Sequence, residues 1–124
     1  MGITSKAIQI ETHGGPEVMK LVTLEVSLPA DNEVQIRQKA IGLNFIDIYF
    51  RTGLYASPLP HGLGFEASGV VEAVGKNVAH LKVGDRVAYG QSPLGAYAEV
   101  RNVPGHQVVK IPDGISFEEA AAIM

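Results

Sequence analysis

Short stretches of strand-like alternation, each ended by glycine or proline, organise most of this chain. Within Glu33–Ile41, Val34, Ile36 and Ala40 fall at the two-residue spacing of a strand, with Gln38 interrupting the apolar face. Lys6–Glu11 and Lys20–Leu28 read as two further strands joined through the turn His13-Gly14-Gly15-Pro16. Gly69–Gly75 is rich in β-branched residues, and Asp85–Tyr89 continues the pattern after the turn Val83-Gly84-Asp85. Tyr97–Arg101 and Gln107–Ile111 supply two more strands. Fourteen glycines and seven prolines keep every segment short. The pattern predicts a mainly β fold with a few short helices, a barrel or sandwich rather than alternating β-α units.

Two helices interrupt it. Asn44 can cap a segment in which Asp47 meets the positive end of the helix and Gly53 closes the last turn, which predicts a helix over Phe45–Thr52. Ser116-Phe117-Glu118-Glu119 has the spacing of a capping box, with Ile115 placed to staple against Ala120, so a second helix is expected from Phe117 to Met124. That helix has eight residues and an apolar end, Ala120 to Met124, with nothing after it to cover those side chains. The expectation is a truncated chain; the alternative is a helix docked on its own barrel.

Composition narrows the function. At 124 residues with 46% hydrophobic and 19% charged positions, one folded domain is expected. A net charge of −3 with Lys and Arg scattered singly argues against nucleic-acid partners. No apolar run approaches the length of a membrane span, and Met1 to Ile10 does not have the form of a leader, so a cytoplasmic protein is the expectation. The sequence has no cysteine, which excludes disulfides, thiolate nucleophiles and sulfur-ligated zinc or iron.

The candidate chemistry lies on and after the first helix, where Asn44, Asp47, Tyr49 and Tyr55 cluster. Each also has a plain structural reading: a cap, a dipole partner, and two amphipathic surface rings. Pro60 to Gly69 is glycine-rich, suited to close approach of a ligand or of another strand, but it lacks both the spacing and the strand–turn–helix setting of a dinucleotide fingerprint. Gly69 to Lys76 fails as a phosphate loop, since five residues separate its glycines and Asn77 stands where a Ser or Thr is required. His13, His61, His80 and His106 show no short ligand spacing and are expected at the surface. No Ser lies in a nucleophile elbow.

Four blocks, taken in order, carry a family resemblance: Gly42-Leu43-Asn44-Phe45-Ile46-Asp47-Ile48-Tyr49, Arg51-Thr52-Gly53-Leu54-Tyr55, Gly64-Phe65-Glu66-Ala67-Ser68-Gly69-Val70-Val71 and Val83-Gly84-Asp85-Arg86-Val87. Together they resemble the zeta-crystallin-like quinone oxidoreductase branch of the medium-chain dehydrogenase/reductase superfamily. The resemblance implies that residues 1–124 form the N-terminal GroES-like domain, a partly open β-barrel, without the Rossmann domain that follows it in the family.

Function is implied in the same way. Zinc alcohol dehydrogenases of the superfamily carry Cys and His at the positions matching Asn44 and Phe65, and a structural zinc lobe of four cysteines, so neither zinc is expected here. The implied activity is NADPH-dependent reduction of quinones by hydride transfer. Tyr49 is expected to contact the cofactor, and Asn44 and Tyr55 to line the cleft where acceptor meets nicotinamide, Asn44 touching both. Glu66 resembles the acid behind the catalytic zinc and is expected to serve as an ion-pair partner. The alternatives are a 2-alkenal reductase of the same superfamily and a free-standing, non-catalytic GroES-like module. A homodimer of the full-length protein stays open.

Overall fold

The computed structural model describes residues 2–123, except for the side chain of Ile123. Two antiparallel sheets account for the strands and do not join into one closed barrel. In the smaller, β1 (Ile3–Ile10) pairs with β2 (Met19–Val26) over its whole length, from Ile3 opposite Val26 to Ile10 opposite Met19. The short β4 (His61–Gly62), which the hydrophobic pattern does not reveal, pairs with the other edge of β1. In the larger sheet, β3 (Glu33–Ile41) lies between β5 (Ala67–Val74) and β7 (Val100–Pro104), and β5 continues to β6 (Arg86–Tyr89) and β8 (Val108–Lys110). This mainly β fold is the one the sequence predicts.

The core follows the alternation. Val34 and Ile36 on β3, Val71 on β5, Val87 and Tyr89 on β6, Val103 on β7 and Val108 on β8 are all at most 2% exposed and pack into one cluster. Gln35 breaks the alternation, since it is also buried. Its amide donates to the Ser27 carbonyl at 3.1 Å and to Asn102 Oδ1 at 3.3 Å, so the polar group is satisfied where water cannot reach.

Gln38, the other interruption, has a similar explanation. Its Nε2 donates to the carbonyls of Ala96 at 2.6 Å and Ala98 at 2.9 Å, while its Oε1 accepts from the Tyr89 hydroxyl. The ladder register between β3 and β5 shifts between Gln38 and Ala40. The expected strand over Lys6–Glu11 begins three residues late against Ile3–Ile10, and the segment that Gln38 holds departs further from its predicted form. A strand is expected over Tyr97–Arg101, but the ladder begins only at Val100. Tyr97 to Glu99 instead bridge the two sheets: Ile8 N–H donates to Tyr97 O at 2.9 Å, Glu99 N–H to Lys6 O at 2.9 Å, and Gln38 N–H to Glu99 O at 2.8 Å.

Helix α1 (Phe45–Thr52) has the predicted bounds and closes on Gly53, whose φ of 89° is the left-handed conformation of a helix C-cap. Helix α2 (Phe117–Ile123) starts at its predicted capping box. Ser116 N–H donates to Glu119 Oε1, and Glu119 N–H to Ser116 Oγ, both at 3.0 Å. Met124, to which the helix was expected to run, lies outside the described residues. Part of the helix's apolar run is covered by the chain itself, while Ala122 is exposed. Ala120 and Ala121 are each 3% exposed, and Ala120 packs with Ala88, Ile111 and Ile115. The barrel also holds the helix start by polar bonds. Ser68 Oγ donates to the Phe117 carbonyl at 2.6 Å, and Arg86 donates to the Ile115 carbonyl at 2.6 Å while its guanidinium sits 4.7 Å from the centre of the Phe117 ring. No described helix is long and apolar enough to cross a membrane.

Candidate functional site

Helix α1 presents different faces to two neighbourhoods, and the candidate residues divide between them. Asn44, Asp47, Ile48 and Arg51 recur at three- and four-residue steps and line a cleft of about 570 Å³, faced by Leu63 and Tyr97. Asn44 also lines a second, smaller cleft together with Gly42, Glu66 and Ala121 of α2. The rim is apolar and open, with Leu43 82% and Phe45 78% exposed.

Asp47 is more than a dipole partner. It is 3% exposed, and its Oδ2 accepts from Asn44 N–H at 3.0 Å and from the Tyr97 hydroxyl at 2.6 Å. Its own N–H donates to the Asn44 carbonyl at 3.1 Å. Oδ1 is buried with no hydrogen-bond partner among the described residues. Burial and the bond to Asp47 both push the Tyr97 phenol well above the ordinary tyrosine value, so the hydroxyl stays a donor at neutral pH.

Tyr49 and Tyr55 lie beyond both Asn44 clefts and meet each other edge-on, with ring centres 5.4 Å apart. The Tyr55 N–H donates to the Tyr49 carbonyl at 3.1 Å, which folds the chain after Gly53 back on the helix. Phe50 meets Tyr55 edge-on at 5.7 Å and lies 5.3 Å from Phe65. Both tyrosines keep a free side, at 37% and 47% exposure. The structure thus brings Tyr49 and Tyr55 together, and places Asn44 apart from them at the N-cap of the helix.

Two expectations are corrected here. His61 is not a surface histidine: it is 8% exposed, its ring packs against Phe50, and its Nδ1 lies 2.7 Å from the Gly62 carbonyl. Glu66 is buried but has no ion-pair partner among the described residues; it packs over Gly42, where a Cβ would come within 2.2 Å of its Oε1. Among the described residues no group of three or more His, Asp or Glu side chains converges as a metal site.

Sequence reasoning missed Tyr97, taking it as the first residue of a strand. Its signal was indirect: Gln38, polar on an apolar face, bonds the carbonyls on either side of it.

The glycine-rich run proves to serve packing. A Cβ on Gly62 would be 2.9 Å from the Gly95 Cα, and one on Gly69 would strike the Arg37 carbonyl. Of the two uses its composition allowed, close approach of backbone is the one on view.

Comparison with known proteins fits this architecture. The alcohol dehydrogenase GroES-like domain model matches residues 30–113. A quinone oxidoreductase of Salmonella typhimurium is 55% identical over 116 residues, 93% of this chain and 36% of that protein. The solved quinone oxidoreductase of Pseudomonas syringae superposes with a TM-score of 0.93 at 58% identity, covering 97% of this chain and 37% of that one. The Escherichia coli quinone oxidoreductase, solved in complex with NADPH, gives 0.94 at 52% identity, covering 96% and 37%. This chain therefore spans little more than a third of the length of the relatives it matches, their N-terminal part. It belongs to the alcohol dehydrogenase GroES-like domain family, on the quinone oxidoreductase branch of the medium-chain dehydrogenases.

Proposed function

We propose that this chain is the acceptor-binding domain, residues 1–124, of an NADPH-dependent quinone oxidoreductase that works without zinc. The observation that carries the reading is the surface around α1. Asn44 stands at a cleft with an open apolar rim, and two half-exposed tyrosines, Tyr49 within the helix and Tyr55 just after it, meet edge-on beyond that cleft. An amide and a pair of phenols suit a flat, conjugated carbonyl compound and the amide-bearing ring of a nicotinamide, which need shape and a few hydrogen bonds.

The residues fit the nicotinamide end of NADPH only. Tyr49 would lie against the cofactor, Asn44 would orient both nicotinamide and acceptor, and Tyr55 would meet the acceptor from outside the clefts that Asn44 lines. When bound, the cofactor supplies hydride, and a solvent proton completes the hydroquinone. The chain's own part is to hold the acceptor carbonyl, donate to the oxygen as charge develops, and keep water out through the Leu43 and Phe45 rim. The donor set argues against a catalytic zinc: where the metal enzymes are expected to place sulfur and imidazole, this chain has the Asn44 amide and the Phe65 ring, the latter packed on Phe50.

The test is turnover by the full-length protein on quinones, 2-alkenals and primary alcohols, with and without a strong chelator. Chelator-insensitive quinone reduction with NADPH is expected. Alkenal reduction alone would reassign the acceptor, and metal-dependent alcohol oxidation would overturn the proposal.

A further inference from the structure

Asn44 is held from behind by a series of hydrogen bonds that begins in the barrel core. Asp47 Oδ2 takes both the Asn44 N–H, at 3.0 Å, and the Tyr97 hydroxyl, at 2.6 Å. Because Oδ1 has no partner among the described residues, these two bonds on one oxygen are the visible restraints on a desolvated carboxylate. Tyr97 is itself fixed on every side. Its N–H donates to Leu63 O at 2.9 Å, and its carbonyl accepts from Ile8 N–H at 2.9 Å. Its ring closes on Gly64, where a Cβ would lie 2.5 Å from the ring. Gln38 Nε2 holds the carbonyls immediately before and after it, and Gln38 Oε1 accepts from Tyr89, a residue with no exposure.

We infer that Tyr97 is a positioning residue for the reaction: its hydroxyl sets the Asp47 carboxylate, and through it the main chain of Asn44 at the cleft. The inference rests on the reading of Asn44 as a group that meets nicotinamide and acceptor. Removal of the Tyr97 hydroxyl leaves Asp47 with one donor in place of two. The carboxylate then turns toward whatever donor or water it can reach, and the start of α1 moves with it. Shifts well below an ångström in a group that orients reactants are enough to slow turnover.

The test is a double-mutant cycle on quinone turnover in the full-length protein. Tyr97→Phe is expected to lower kcat on the order of ten-fold in the unaltered background and less than about two-fold in an Asn44→Ala background, because both changes act through one group. A merely structural role for Tyr97 would give the same loss in both backgrounds, and that result overturns the inference. Should Tyr97→Phe fail to fold, the same cycle is read with Asp47→Asn, which keeps the side-chain shape.

A second measurement needs no catalysis. In this 124-residue chain, amide hydrogen exchange at Asn44 is expected to quicken on the order of ten-fold in Tyr97→Phe, with the Gly42 N–H, bonded to the Glu66 carbonyl at 3.0 Å, as the internal control. Unchanged exchange at Asn44 also overturns the inference. If the unaltered full-length protein does not reduce quinones, the proposed function falls, and exchange alone decides the role of Tyr97.

Discussion

A Cβ placed on Gly69 would lie 2.2 Å from the carbonyl oxygen of Arg37, across the ladder between β3 and β5. No side-chain rotation can relieve that contact, because both partners are backbone. Gly69→Ala is therefore expected to destabilise the fold by about 1–3 kcal/mol or more, through forced separation of the two central strands. Gly84→Ala is the control, since its Cβ meets nothing within 4 Å and only the positive φ of 95° opposes it. Urea unfolding of both variants checks the order; an equal loss from the two would show that the ladder yields at Gly69.

Tyr97 predicts an alkaline limit to stability. Its phenol is raised in the folded state by burial first and by the bond to Asp47 second. The folded state thus holds a proton that the unfolded chain gives up, so the contribution is complete below the ordinary tyrosine value of 10.0 and is lost as pH rises above it. Tyr97→Phe is expected to show a smaller fall in melting temperature than the unaltered chain between pH 9 and pH 11 or so. Parallel curves would remove the assignment.

Asp85 predicts the opposite limit. Lys82 bonds its carboxylate with both ammonium, at 2.7 Å, and N–H, at 3.0 Å, and Lys110 approaches to 3.6 Å, which holds the acid below its ordinary value. A depressed carboxylate stabilises above its unfolded value of 3.8 and loses that contribution as pH falls below it. The stability gap between the unaltered chain and Asp85→Asn is expected to be widest near neutral pH and to close in acid, as followed by thermal melts from pH 7 to pH 2 or so.

Tyr49 and Tyr55 share one aromatic contact yet are assigned different partners. In the full-length protein, Tyr49→Ala is expected to weaken NADPH binding more than Tyr55→Ala does, with Tyr55→Ala acting mainly on the acceptor KM. Calorimetric titration and steady-state kinetics measure the two effects. Equal losses of cofactor affinity would mean that the edge-on pair acts as a unit.

The 124-residue chain alone is expected to bind NADPH weakly. No glycine-rich phosphate turn opens a helix among the described elements, so the pyrophosphate end of the cofactor finds no such cradle in them. Titration of the isolated chain should show no saturation at micromolar cofactor.

Local grammar made most of the fold legible. The bounds of β3 and α1 were readable because alternation and the Asn44, Asp47 and Gly53 signals are set within a few residues. Their place around the first helix marked Asn44, Tyr49 and Tyr55 as candidates, and the resemblance, not periodicity, gave each its expected role. What stayed hidden depends on partners far apart in the chain. Tyr97 meets Asp47 across fifty residues, and β4 owes its two-residue pairing to β1. His61 is buried by Phe50, and no property of the sequence around it announces that packing.

Drift at a half-buried position is usually judged by volume; at Gln38 it is judged by valence. Two carbonyls need a donor there and one phenol needs an acceptor. Gln38→Leu fills the space but strands the Ala98 carbonyl and the Tyr89 hydroxyl and leaves the Ala96 carbonyl only its bond from the Ala98 N–H at 2.8 Å, while Gln38→Glu keeps the acceptor and offers the carbonyls no hydrogen. Neutral replacement is thereby shut out at a half-buried residue of β3, and a screen that ranks variants by oiliness would favour the one least able to keep the two sheets joined.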